Sequence, residues 1–295
     1  MERLPPYLLK KVRLGGETFE LKRLLRSLDV TTVCEQALCP NISECFEAGE
    51  LTFMIMGSVC TRNCGFCGVP GGRPIALDPE EPDKVTAAAK RLKLRYIVIT
   101  SVTRDDLPDG GAAHFAACIR SLRKTLPRAG LEVLIPDFEG DLDSLRTVLK
   151  ERPDVLGHNM ETVRRLYPLA RTGSDYTRSL KVLENSRRSS SGIMVKSGFM
   201  VGLGETEDEI RELMRDIRAT GCEMLTIGHY LPPTIKNLPL VRPIPPEKFE
   251  EYREQALALG FRSVHSGIFV RSSHHAFEQL REARGEKPGK ENYEK

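Results

Sequence analysis

The sequence predicts an α/β fold, a partial (β/α)6 barrel of the TIM type with N-terminal and C-terminal extensions. Three observations carry this. Apolar runs of strand length alternate with helical patterns through the middle of the chain, and each parallel connection needs a crossover helix. No GxGxxG follows any of the strands, which removes the usual mark of a dinucleotide-binding doubly wound sheet. The chain has 295 residues, 40% of them hydrophobic, enough for one large domain with appendages.

Six strands are expected, at 51–57, 95–101, 131–135, 154–158, 193–200 and 223–229. Between them the apolar spacing predicts helices over about 80–93, 111–126, 141–151, 176–188 and 207–220. Before the first strand, Leu21, Leu24, Leu25 and Leu28 recur at helical spacing and predict a short amphipathic helix packed on the main domain. After the last, the Pro-rich stretch 232–246 ends the barrel, a helix is expected over 246–259, and residues 261–280 alternate like a strand before turning helical. The chain therefore divides into an N-terminal extension (1–50), a barrel (51–245) and a C-terminal extension (246–295) that ends in a charged tail expected to be disordered.

Composition excludes several classes. The 44 basic and 41 acidic residues balance to a net charge of +3, so no nucleic-acid surface is implied. No apolar stretch approaches the ~18 residues of a membrane span, and the first residues carry charges and prolines where a secretory core would be apolar, which points to a cytoplasmic protein. Of the eight cysteines, six fall in two tight groups, a pattern of reduced metal ligands rather than disulfides. Cys118 and Cys222 sit in apolar patterns and are assigned no chemistry.

The chemistry concentrates at CTRNCGFC, residues 60–67, directly after the first strand. Cys60, Cys64 and Cys67 form a CxxxCxxC array with Phe66 before the last thiol. Three ligands are one short of a closed structural zinc site or an ordinary four-Cys cluster, so such a loop leaves one metal position open to a small molecule. Upstream, Cys34, Cys39 and Cys45 form CxxxxCxxxxxC, and residues 271–276 read RSSHHA. For the upstream triad, zinc completed by a remote His is the alternative, although the spacing matches no zinc-finger pattern.

These three motifs together resemble the lipoyl synthases, a family of radical S-adenosylmethionine (SAM) enzymes, and the resemblance runs from about Cys34 to Phe277. It implies two [4Fe–4S] clusters and SAM. One cluster would sit on Cys60, Cys64 and Cys67, with SAM at its open iron. The auxiliary one would sit on Cys34, Cys39 and Cys45 with Ser273 as fourth ligand and Arg271 beside it. The implied reaction is insertion of two sulfur atoms, at C6 and C8 of a protein-bound octanoyl-lysine, with the auxiliary cluster as sulfur source. The implied partners are an octanoylated lipoyl domain or glycine-cleavage H protein, a small electron donor such as a flavodoxin or ferredoxin, and a cluster-carrier protein. Other two-cluster sulfur inserters, methylthiotransferase or biotin-synthase-like, share only the central loop. A zinc-stabilised binding module is the reading from a different class.

Barrel logic places ligand contacts in the loops after the strands. After the second strand, Thr100, Ser101, Thr103 and Asp105 are candidates for the SAM amino group, or else turn and cap residues. After the fourth, Asn159 and Glu161 are expected to meet a ribose or an ammonium group, or else to be an N-cap and a first-turn acid. Arg178 offers a planar fork to the methionine carboxylate, or else forms a surface salt bridge. The glycines of MVGLGET suggest a cofactor-facing turn after the fifth strand. Three positions depart from the family pattern: Phe46 for Trp, His229 for Gln, and His274 for Tyr. His229 is expected to be a hydrogen-bonded rim residue.

Overall fold

The computed structural model describes residues 4–10 and 15–286. Of the charged tail at 281–295, for which disorder was expected, the residues up to Arg284 continue the helix Ala276–Arg284, and 287–295 lie outside the described residues.

Seven parallel strands form one sheet in sequential order: β1 (Thr52–Ile55), β2 (Tyr96–Ser101), β3 (Gly130–Leu134), β4 (Val155–Gly157), β5 (Met194–Val201), β6 (Met224–His229) and β7 (Ser263–Gly267). The six expected strands are present, their ends trimmed or shifted by one or two residues. The seventh comes from the alternating stretch after Gly260, which pairs with β6 rather than standing apart from the barrel. Helices cross back between the strands, including Glu81–Arg91, Ala112–Thr125, Leu142–Leu149, Tyr176–Ser189 and Glu207–Ala219. Their starts follow the sequence: Asp141 and Asp175 cap two of them, and Thr206 with Glu209 forms a capping box on a third.

Sheet register explains why the strands read as continuous apolar runs. Phe53, Ile99, Val133 and Leu156 are register partners across four strands and are all fully buried. The next row, Met54, Thr100 and Leu134, faces a cavity inside the sheet's curve. A parallel sheet covered on both faces has no polar side to display, so alternation is weak.

The sheet does not close by pairing β1 with β7. The two extensions bridge the seam instead. Residues Thr31 and Thr32 reach the free edge of β1, with Met54 N–H donating to Thr31 O at 2.9 Å and an antiparallel bridge between Thr32 and Phe53. Asn41 Nδ2 donates to Phe269 O at 2.6 Å, and Thr52 Oγ1 donates to Ser273 Oγ at 2.7 Å. The helix Gly16–Ser27 packs outside this seam with Leu21 and Leu25 buried, as its leucine spacing predicts.

Candidate active site

A cavity of about 470 Å³ opens at the C-terminal ends of the strands. Cys60, Cys64 and Cys67 line one wall, and Cys34, Cys39, Arg271, Ser272 and Ser273 also face it. Cys45 sits behind, on the helix Ile42–Glu47, close enough to feel the charge of Cys34 and Cys39. All eight cysteines are free.

Backbone contacts hold the CxxxCxxC loop in place. Thr61 N–H donates to Thr103 O, Gly65 N–H to Ala170 O, and Asn237 Nδ2 to Cys67 O, at 3.0, 2.9 and 2.8 Å. Cys60 Sγ accepts from the amides of Arg62 and Thr103 at 3.4 and 3.3 Å. Gly68 matters because a Cβ there would come within 3.0 Å of Ala37 O and 3.1 Å of Pro233 Cβ. Its bare backbone lets the loop press against the upstream Cys segment.

Arg62, inside the loop, is buried and held by carboxylates on two sides. Its Nε and Nη2 donate to Asp105 at 2.8 Å each, and Nη2 also donates to Asp137 at 2.8 Å. Asp137 in turn accepts from Arg178 Nε at 2.9 Å. Burial works to raise the Asp137 carboxyl, but Arg62 and then Arg178 hold it well below the usual carboxylate range.

This network places two of the expected SAM contacts elsewhere. Arg178 does not line the cavity: it is anchored to Asp137 and to Gly173 O, and borders a separate surface hollow. Asp105 is the counter-ion of Arg62 and also lies off the lining. The glycine turn after β5 is likewise not cavity-facing; Glu205 Oε2 accepts from Gly202 and Leu203 N–H at 2.9 and 3.0 Å, so the turn is closed on itself. His229 is hydrogen-bonded as expected, its Nε2 accepting from Ile244 N–H at 3.0 Å and its Nδ1 meeting Tyr230 O, but it is fully buried off the cavity lining rather than at the rim.

The other candidates do converge. Phe66, Thr100, Ser101, Thr103, Asn159 and Glu161 all line the cavity. Thr100 Oγ1 already donates to Leu134 O at 3.1 Å, whereas Ser101 Oγ is buried without a partner. Asn159 Nδ2 donates to Glu161 Oε1 at 3.0 Å and to Ser272 Oγ at 2.6 Å, tying the β4 loop to the segment after β7. Glu161 has φ +67°, a left-handed backbone that a glutamate adopts at a cost of ~1–2 kcal/mol. Burial raises its carboxyl above the usual range despite the opposing charge of Arg171.

Arg171 itself is missed by motif reading. It follows the one-turn helix Tyr167–Ala170, lines the cavity, and sits near Cys64 and Glu161. Its Nη1 donates to Asn159 O and to Tyr167 Oη at 2.5 and 2.6 Å. The spacing of Tyr167 and Arg171 by four residues was the available signal.

The donor set fits iron–sulfur clusters. Burial pushes the thiols of Cys34, Cys45 and Cys64 up to about 12 and that of Cys67 to about 11, so ligation must release their protons. Three thiolates on one tetrahedral zinc would lie ~3.8 Å apart, given Zn–S bonds of ~2.3 Å. Among the described residues, neither triad brings its three sulfurs within 4.8 Å of one another. Neither triad is therefore drawn together as one zinc would require, and soft thiolates in threes suit a cluster. The unpartnered Ser101 hydroxyl and the open polar wall of Asn159, Glu161 and Arg171 suit a polar ligand such as SAM.

Comparison with known proteins agrees. The profile of the radical SAM superfamily matches residues 54–217. Lipoyl synthase from Rubrobacter xylanophilus is 52% identical over 280 residues, covering 95% of this chain and 87% of that one. The lipoyl synthases of Syntrophotalea carbinolica and Methylococcus capsulatus are 52% and 51% identical, covering 94% of this chain and 90% and 86% of theirs. Two solved structures share the fold: HydG, a maturase of the [FeFe]-hydrogenase (TM-score 0.53, 13% identity, 90% of this chain and 74% of that one), and Streptococcus suis SuiB bound to precursor peptide SuiA (0.54, 10%, 74% and 48%). With five of the six clustered cysteines and the RSS segment at one cavity, Cys45 just behind it, and identity above one half along nearly the whole chain, this protein belongs to the lipoyl synthase family of the radical SAM superfamily.

Proposed function

We propose that the chain inserts two sulfur atoms, at C6 and C8, into an octanoyl group carried on a lysine of a lipoyl domain or glycine-cleavage H protein. The observation that carries this reading is that Cys60, Cys64 and Cys67 face a single cavity together with Cys34, Cys39 and Ser273, with Cys45 directly behind. When bound, the cluster on Cys60, Cys64 and Cys67 supplies the electron that splits SAM, and the auxiliary cluster on Cys34, Cys39, Cys45 and Ser273 supplies the sulfur.

The chain's own residues position and enclose. Ser101 and Thr103 offer hydroxyls, and Asn159 with Glu161 offers acceptors for a ribose or ammonium group. Arg171 takes the place first expected for Arg178, because it is the arginine that reaches the cavity beside Cys64. Val33, Leu38, Met54 and Val69 form an apolar wall suited to an acyl chain. Ser273 is held ready by Thr52, and Arg271 braces its segment by donating to Val270 O at 2.7 Å. Arg271 is half-buried near Cys39 and Glu161 and is positioned to balance their negative charge.

The three-part division of the chain follows the same logic, each extension delivering ligands across the open seam. Among the described residues no helix is long and apolar enough to cross a membrane. A cytoplasmic setting, with a small flavodoxin- or ferredoxin-type donor and a cluster carrier, is the one this chemistry calls for.

The test is an anaerobic single turnover with reconstituted protein, SAM, reductant and an octanoyl-lysine peptide, read by mass spectrometry. Formation of 5′-deoxyadenosine with two sulfurs added to the peptide is expected. Deoxyadenosine with an unchanged peptide would discard the substrate and sulfur-donor assignment.

A further inference from the structure

His274 has no part in the site described above, yet its Nε2 is buried without a hydrogen-bond partner. One ring nitrogen of His274, one of His275 and one carboxylate oxygen of Glu44 all lie within 4.8 Å of one another. Among the described residues this is the one group of three or more His, Cys, Asp or Glu side chains that close. Two ligands on a single ion, each at ~2.1 Å, lie ~3.0–4.2 Å apart, so small rotations complete the geometry. Two imidazoles and one carboxylate are a donor set that holds divalent first-row ions while leaving further positions open.

The placement is as informative as the chemistry. Glu44 immediately precedes Cys45, and His274 immediately follows Ser273, so the trio is built on the same two segments as the auxiliary triad. His275 stands at φ +50° and ψ +41°, a left-handed conformation that brings its ring against that of His274, with centroids 4.0 Å apart. Such strain in a non-glycine residue requires compensation from its surroundings. The carboxylates of Glu50 and Glu278 lie 3.5 and 3.7 Å from His275 Nδ1 and add negative charge beside the trio. Lys10 donates to Glu44 Oε2 and to Asn41 Oδ1, which leaves Glu44 Oε1 for an ion.

We propose that Glu44, His274 and His275 form a mononuclear site for a divalent first-row cation, and that its ion is Fe2+. The site stands on these three side chains. The choice of iron rests on the cluster reading, because cluster assembly brings iron to the neighbouring Cys45 and Ser273. Binding involves no electron transfer.

The test loads both triads with natural-abundance iron, removes the excess, adds one equivalent of 57Fe2+ without oxygen, and removes the excess again. Mössbauer spectroscopy then sees only the added isotope. About one 57Fe per chain is expected, as high-spin ferrous iron with nitrogen and oxygen ligands. Retention should fall at least about tenfold in His274→Phe and in Glu44→Gln, with cluster absorbance preserved. Loss of the isotope on desalting, its appearance only in cluster signals, equal retention in both variants, or retention of Zn2+ but not Fe2+ would each overturn the proposal. Should the triads take up no iron, the cluster reading fails separately, and 57Fe2+ retention in parent against variants still decides the site.

Discussion

Removing the carboxylate of Asp137 should loosen the CxxxCxxC loop without touching a thiol. The side chain is fully buried and receives Arg62 Nη2 at 2.8 Å, Arg178 Nε at 2.9 Å and Glu139 N–H at 3.2 Å. Deleting one partner of a buried ion pair costs ~3–5 kcal/mol because a charge is left uncompensated. Arg62 keeps Asp105, which places Asp137→Ala near the lower end, at ~3 kcal/mol. For a chain of this size that corresponds to a fall in Tm of about 6–12 °C. Arg178→Met, by contrast, removes a guanidinium that is a quarter exposed and leaves the Arg62–Asp137 contact intact, so a loss of ~1 kcal/mol and about 2–4 °C is expected. Thermal unfolding by circular dichroism compares the two, and iron analysis reports whether the Cys60, Cys64 and Cys67 triad still loads. The pH dependence has a definite sign. Asp137 is held below its unfolded value, so its contribution is complete above the ordinary Asp range of ~4 and is lost as pH falls below it. Unfolding of Asp137→Ala should thus approach that of the parent in acid. An Asp137→Ala protein with unchanged Tm and full iron would refute the role given to this network.

Arg171→Met should weaken SAM binding about tenfold or more, as loss of a charge-assisted contact does, while Arg178→Met leaves it nearly unchanged; equilibrium dialysis distinguishes them. Gly68→Val should cost ~1–3 kcal/mol and lower iron content, because the new side chain would meet Ala37 O and Pro233 between the two Cys segments. Lys196→Met should cost ~3–5 kcal/mol in chemical denaturation by stranding buried Glu132, whose carboxylate Lys196 meets at 2.9 Å away from the cavity lining. SAM affinity of the folded Lys196 variant should stay at the parental level.

Much of this architecture was legible from the residues because its signals are local. The six barrel strands announce themselves as short apolar runs, and three thiols within eight residues can hardly serve anything but a metal. The seventh strand was harder to place, since alternation over residues 263–267 identifies a strand but not its partner; pairing with β6 is a tertiary fact. The polar contacts divided on the same line. Ser101, Asn159 and Glu161 sit at strand ends, where barrel geometry aims side chains at the cavity. Arg178 lies on the first turn of a helix, and its direction is set by Asp137 from a distant loop. Arg171 belongs to none of the motifs, and only the fold buries it beside Cys64. Likewise the glycines after β5 signal a turn, but what they face depends on Glu205 capping the turn from within.

The central claim, that the Cys34, Cys39, Cys45 and Ser273 site gives its sulfur to the substrate, is met most directly by isotope. Protein reconstituted with 34S sulfide is taken through one anaerobic turnover with reductant, an octanoyl-lysine peptide and unlabelled SAM. The account predicts a product carrying two 34S atoms from the parent protein and none from Ser273→Ala protein whose auxiliary triad has lost its iron. A product containing only light sulfur, or parental SAM cleavage without sulfur transfer, would contradict it.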